Sequence, residues 1–215
     1  MIAPKRVWDW PVRLTHWLLA PLIAFSWWSA EIQRLDWHRL SGYLVLTLVI
    51  FRLLWGFVGS ETARFDAFLR GPRAVVAYLR GQAARGIGHN PLGGWAVIAM
   101  ILALAVQVGL GLFAVDVDGL ESGPFAVFMS FDAGRAAAEL HEWTFNAFVL
   151  LIALHLCAIA FYAVVQKKNL VGPMITGRQM SEVAAPRLAP HWRALLCFGI
   201  AGAATFATSQ SFWAF

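Results

Sequence analysis

Charge is scarce in this chain: 13 % of its 215 residues are charged and 60 % are hydrophobic, and the mean hydropathy is +0.64. A soluble domain of this length spreads its apolar residues in periodic stripes. Here charge is missing over whole runs, each about long enough to span ~30 Å of hydrocarbon. Cysteine is equally sparse. Cys157 and Cys197 both fall inside apolar runs, with no Cys-x-x-Cys and no Cys-x-x-Cys-His. That excludes a redox dithiol and a covalently attached c-type haem, and leaves two ordinary buried small residues. Also missing are a catalytic triad, a nucleotide-binding glycine loop, a metal-hydrolase signature, low-complexity tracts and internal repeats.

What is present is a set of five apolar runs: Leu14–Ser29, Leu40–Val58, Leu92–Val115, Phe145–Val165 and Trp192–Thr208. The first holds His16 and Pro21, and the last is rich in Ala, Gly and Thr. No cleavage pattern follows the first run, so it is expected to be retained. A net charge of +5 in a soluble protein would suggest nucleic acid. Its placement points to a membrane instead. Lys5, Arg6 and Arg13 lie before or at the start of the first run. Arg64, Arg70, Arg73, Arg80 and Arg85 follow the second, and Lys167, Lys168, Arg178 and Arg187 follow the fourth. The other two connections carry Arg34, Arg39 and Arg135 against Glu31, Asp36, Asp116, Asp118, Glu121, Asp132, Glu139 and Glu142. The positive-inside rule then puts the N-terminus in the cytoplasm and the C-terminus outside. Pro72 to Leu79 reads as a short amphipathic helix at the interface, broken by Gly86 and Gly88 before the third run. Asp116 to Glu139 reads as an outer loop whose Phe125, Phe128 and Phe131 dip back to the membrane or meet a partner. Tryptophans such as Trp8, Trp37, Trp95, Trp192 and Trp213 near the run ends fit an interfacial belt.

Ionisable residues inside a membrane are costly and are functional candidates by default. Four histidines qualify. His16 lies at the cytoplasmic start of the first run, His38 at the outer start of the second, and His141 at the outer start of the fourth. His155 follows His141 by fourteen residues. That is about 40° short of four full turns, so both share one face, about 21 Å apart along the axis. The chain thus offers His38 with His141 at the outer level and His16 with His155 at the inner level. Two facing imidazoles are the ligand set of a six-coordinate haem iron, closed to oxygen chemistry and suited to electron transfer. One tetrahedral zinc would need all four at one level. Histidines acting as helix-to-helix hydrogen bonds or as a proton path are the competing reading.

Other residues fit the haem reading. Gly42, one turn after His38, removes a side chain where a macrocycle would lie. Arg52, fourteen residues after His38, is a buried cation at the inner level with no acid in any run at that depth. A haem propionate is its natural partner. Arg13 and Arg39 are further propionate candidates or snorkelling interface residues. Gly109 and Gly111 thin the third run for haem approach or for helix packing. His89 and His191, in cytoplasmic segments, lack a partner at matching depth; His89 is a candidate for a quinone pocket or a propionate.

Together these residues carry a family resemblance. Val7-Trp8-Asp9, Arg13-Leu14-Thr15-His16-Trp17, His38-Arg39-Leu40-Ser41-Gly42-Tyr43, Phe51-Arg52-Leu53-Leu54-Trp55-Gly56-Phe57, Gly88-His89-Asn90-Pro91-Leu92-Gly93-Gly94, Leu140-His141-Glu142 and Met174-Ile175-Thr176-Gly177 resemble the b-type cytochrome subunits of nickel-iron hydrogenases and the small bacterial cytochrome b561 proteins. The resemblance covers about residues 7 to 178. It implies an all-α integral membrane four-helix bundle with two b haems on His16, His38, His141 and His155. Residues 7–178 would form the dihaem domain. Residues 179–215 would be an extension bearing a fifth transmembrane helix, which packs on the bundle or binds a partner.

The expected function is electron transfer across a bacterial inner membrane, between the quinone pool and a periplasmic cytochrome c or hydrogenase-type partner. No nucleic acid is expected. A superoxide:quinone oxidoreductase is the enzymatic alternative, but it would favour a cationic outer funnel, and the outer loops are acidic. A proton or solute carrier using the histidines as relays is the non-redox alternative.

Overall fold

The computed structural model describes residues 2–82 and 87–211, so Arg85, Gly86 and Trp213 lie outside the described residues. Among the described residues the chain is helical, with one short strand pair. In order come β1 (Ala3–Arg6), α1 (Trp10–Glu31), α2 (Leu35–Val58), α3 (Phe65–Phe68), α4 (Pro72–Leu79), α5 (Pro91–Phe113), α6 (Phe131–Val164), α7 (Val171–Thr176), β2 (Arg178–Ser181) and α8 (His191–Gln210). All five apolar runs are helices. Among the described residues, three of them, α2, α5 and α6, are both long and apolar enough to cross a membrane. At 22 and 20 residues α1 and α8 also reach about 30 Å. They fall short in apolarity, because α1 carries His16, Pro21 and several Trp and Ser, and α8 carries Gly, Thr, Ser and Gln.

Helix α6 differs most from expectation. It starts at Phe131 rather than Phe145 and runs for 34 residues. The stretch that reads as loop from its charges, Asp132 to Glu139, holds four alanines with Arg135 and Glu139, residues that favour helix wherever packing allows. Ser130 Oγ accepts the Ala133 N–H at 3.2 Å and caps the first turn. The connection before it folds back on α5. The Phe125 N–H donates to the Leu112 carbonyl at 2.8 Å, and the Phe125 and Phe113 rings sit 5.6 Å apart. The amphipathic helix expected at Pro72 to Leu79 is present as α4.

Contacts divide the chain into two compact units. The first takes Met1–His16, Arg52–Met100 and Ile152–Cys197. Here β1 and β2 pair antiparallel, Ala3 opposite Ser181 and Arg6 opposite Arg178. No apolar alternation announces this pair. It forms because Gly177, at φ +78°, ends α7 and turns the chain so that its carbonyl accepts the Val7 N–H at 2.8 Å. Trp55, 1 % exposed, anchors the packing and donates from Nε1 to Asp9 Oδ2 at 2.9 Å. Thr62 Oγ1 donates to the Val7 carbonyl at 2.6 Å, so the segment entering α1 is tied to the end of α2 and the turn after it.

The second unit takes Trp17–Phe51, Ile101–Leu151 and Phe198–Phe215. Val45, Leu48, Val49, Phe51, Leu104 and Phe148 are buried in it. The part of α8 in this unit packs on α2. The Phe198 and Phe51 rings stack at 3.7 Å, and Thr47 Oγ1 donates to Thr205 Oγ1 at 2.9 Å. In the first unit the start of α8 is tied to the same helix, through Arg193 Nη1 to the Val58 carbonyl. Both stretches of α8 therefore contact α2.

Candidate functional site

In the second unit His38 enters from the first turns of α2 and His141 from α6. Their ring centres are 6.0 Å apart. A metal-bound imidazole nitrogen lies about 2 Å from the ion and about 1 Å from its own ring centre, so two rings gripping one ion from opposite sides sit about 6 Å apart. A direct imidazole-to-imidazole hydrogen bond would bring them to about 5 Å. Each ring is oriented by the backbone of a neighbouring helix. His38 Nδ1 donates to the Ser26 carbonyl on α1 at 2.8 Å, and His141 Nδ1 donates to the Gln107 carbonyl on α5 at 2.8 Å. Holding the Nδ1 proton in this way fixes the tautomer that leaves Nε2 for a metal.

A cavity of about 370 Å³ opens between α1, α2, α5 and α6, lined by both histidines. Two glycines shape it. At Gly42 an added Cβ would meet nothing within 4 Å, so the wall is open there. At Gly111 it would meet His141 Cε1 at 3.0 Å, so the ring would have to give by a few tenths of an ångström. Gly109 has open space instead. Arg39 also lines the cavity and pairs with Glu121 at 3.0 Å. The sequence offered it to a propionate or to the interface; its partner here is an acid of the outer loop.

In the first unit His16 of α1 and His155 of α6 have ring centres 6.4 Å apart, again the spacing for one ion between them. Arg13, one turn before His16, donates from Nη2 to the Ile175 carbonyl and so holds α7. Its Nε is buried with no hydrogen-bond partner among the described residues. Arg52 is 7 % exposed and stacks over Phe65 at 5.2 Å. No apolar run holds an acid at its depth. Asp9 lies close enough for its charge to act on Arg52. It comes from the turn before α1, outside the apolar runs, so depth along the runs could not reveal it.

Several residues were not anticipated. Gln107 is a buried polar group in an apolar helix, and its Oε1 accepts from Thr144 Oγ1 at 2.5 Å. Ser26 Oγ lies 3.2 Å from His38 Nδ1. A lone polar residue in a span was the available signal for both. Near His89, Asn90 Nδ2 donates to Tyr162 Oη at 2.9 Å and Tyr162 hydrogen-bonds Tyr78. Burial, and then that bond, push the Tyr78 phenol up to about 12. Trp10 Nε1 donates to His191 Nδ1 at 2.7 Å, which makes His191 a packing residue. Among the described residues no group of three or more His, Cys, Asp or Glu gathers around one point, so the donor sets come in twos.

Apolar helices long enough to cross a bilayer, with histidine rings facing each other in pairs across neighbouring helices, are the features of a helical membrane protein with buried imidazole pairs. The comparisons with known proteins name the family. The model of the prokaryotic cytochrome b561 family matches residues 7–177, and the chain belongs to that family. It is similar to proteins named probable Ni/Fe-hydrogenase B-type cytochrome subunit. The one from Azotobacter chroococcum mcd 1 is 24 % identical, and the alignment covers 86 % of this chain and 89 % of that one. The Azotobacter vinelandii protein is 23 % identical over the same shares, and that of Bradyrhizobium diazoefficiens 20 % identical over 80 % and 85 %. No solved structure matches the chain. Family membership makes this a helical membrane cytochrome that transfers electrons through b haem.

Proposed function

We propose that the protein holds two b haems, one between His16 and His155 and one between His38 and His141, and passes electrons across the bacterial inner membrane. The observation that carries this is the His38–His141 pair. Both Nδ1 protons are spent on backbone carbonyls, the spacing suits one ion, and a cavity of about 370 Å³ lies against the two rings. A bound b haem supplies a one-electron ferric–ferrous couple, and two histidine ligands leave the iron no open position. The protein's part is to fix the rings, exclude water and balance charge. The backbone carbonyls of Ser26 and Gln107 hold the outer pair. Gly42 leaves the cavity wall open, Arg13 and Arg52 are the cations available to carboxylates, and Arg39, paired with Glu121, is the third cation of the proposed sites.

Charge placement supports a cytoplasmic N-terminus and a periplasmic C-terminus, with α1 and α8 crossing beside α2, α5 and α6. In this reading residues 7–178 are the dihaem domain, and 179–215 add the fifth transmembrane helix. Electrons pass between membrane quinone and a periplasmic partner. The names of the relatives support a hydrogenase-type partner, and the acidic outer loop around Asp118 and Glu121 suits a basic one such as cytochrome c.

A pyridine haemochrome assay on purified protein tests this. Two b haems per chain are expected, and H16A, H155A, H38A and H141A should each lose about one of them, because a ligand removed from a two-ligand site leaves it half-held. Protein expressed with ample haem that shows no Soret band would sink the reading and return the histidines to a proton or solute path.

A further inference from the structure

His89 is used by nothing described so far, yet it is held in place from several sides. Gly88 before it takes φ +87°, a conformation that glycine adopts without strain. Asn90 after it caps α5 by accepting the Gly93 N–H at 2.7 Å, and also donates to Tyr162. The imidazole lies between Trp8 and Phe68, with ring centres at 4.6 and 4.7 Å. Its Nδ1 is buried without a hydrogen-bond partner among the described residues, and so is Arg52 Nη1. The two groups are near enough for the guanidinium charge to act on the imidazole. Burial and that charge bring His89 down to about 3, so the ring is neutral and has one N–H to donate. The acid beside Arg52 is already engaged. Asp9 Oδ1 accepts from the Val12 N–H at 3.0 Å, and Oδ2 accepts from Trp55.

Each buried donor left unsatisfied costs about 1–3 kcal/mol, and more for a charged one. Two of them, one cationic, set on the same run of aromatic rings, form a site for an anion: Arg52 lies over Phe65 at 5.2 Å, Phe65 meets Phe68 at 5.9 Å, and Phe68 meets His89 at 4.7 Å. We propose that Arg52 and His89 are a two-donor cradle for a carboxylate, and that this carboxylate is a propionate of the haem held by His16 and His155. The proposal rests on the reading of that pair as iron ligands. Two donors suit a carboxylate's two oxygens. A lipid phosphate headgroup is the other source of such an anion, and the aromatic enclosure disfavours it. His89 is then a positioning residue: it aims one edge of the macrocycle and leaves the iron to the other two histidines.

The test uses the full chain in lipid nanodiscs and the variants R52Q, R52K and H89Q, read by potentiometric titration of both haems. With the cation gone the carboxylate is uncompensated and the ferric state is favoured. R52Q should therefore lower the midpoint potential of one haem and leave the other unchanged, H89Q should do so to a smaller extent, and R52K should largely restore it. A second arm keeps the native sequence and loads haem dimethyl ester, which lacks the carboxylates. One of the two sites should then bind at least about tenfold more weakly than with haem b, the loss expected for a charge-assisted hydrogen bond. Equal binding of ester and haem b at both sites, or potentials unmoved in R52Q and H89Q, would overturn the cradle. A shift seen only in discs containing phosphatidylglycerol, and absent in pure phosphatidylcholine, would assign the anion to lipid and overturn it too. Failure of the underlying reading looks different: H16A would keep both haems.

Discussion

At the residue scale, the outer histidine pair depends on atoms that a list of ligands omits. His141 is held between the Gln107 carbonyl and the face of Gly111 on the same helix, so it cannot swing away from one without losing the other. The added methyl of G111A would meet the ring at 3.0 Å and turn it off its hydrogen bond. Loss of such an orienting contact typically weakens metal affinity about 10- to 100-fold. G111A should therefore lower occupancy of one haem in a haemochrome assay, whereas G109A, with open space at its Cβ, should not. In the first unit Asp9 accepts two buried hydrogen bonds beside Arg52. D9A should cost about 1–3 kcal/mol for each donor it strands, seen as a fall in thermal midpoint.

At the scale of elements, α8 is attached by small buried residues. Ala194, Cys197, Ala201 and Thr205 recur at three- and four-residue spacing and are 7 % exposed or less, while Leu195, Leu196 and Phe206 face outward. Close approach of small residues, with one Thr–Thr hydrogen bond, is how helices associate where lipid removes the hydrophobic drive. A201L should overpack this contact and destabilise by about 1–3 kcal/mol in thermal unfolding. L196A on the outward face should stay within about 0.5 kcal/mol of the parent.

At the scale of the whole molecule, the distribution of Lys and Arg sets the orientation in the membrane. In a background lacking Cys157 and Cys197, D118C should react with a membrane-impermeant maleimide in intact spheroplasts, and K167C only after lysis. The reverse pattern would invert the topology and move the acidic loop away from any periplasmic partner.

The sequence by itself determined that the chain is helical and membrane-embedded, that four histidines fall in two sets, and which family they belong to. Those features are one-dimensional: run length, charge placement and a fourteen-residue spacing on a 3.6-residue helix survive any packing. Tertiary structure decided the rest. Asp9 meets Trp55, Glu121 reaches Arg39, β1 meets β2, and His89 meets Trp8 and Phe68 only because segments distant in sequence are folded together. The extended start of α6 was hidden for a related reason. Its polar residues carry the composition of a loop, and a serine cap with local helix propensity makes them helical. Backbone carbonyls, which orient both outer histidines, leave no mark in a sequence because every residue has one.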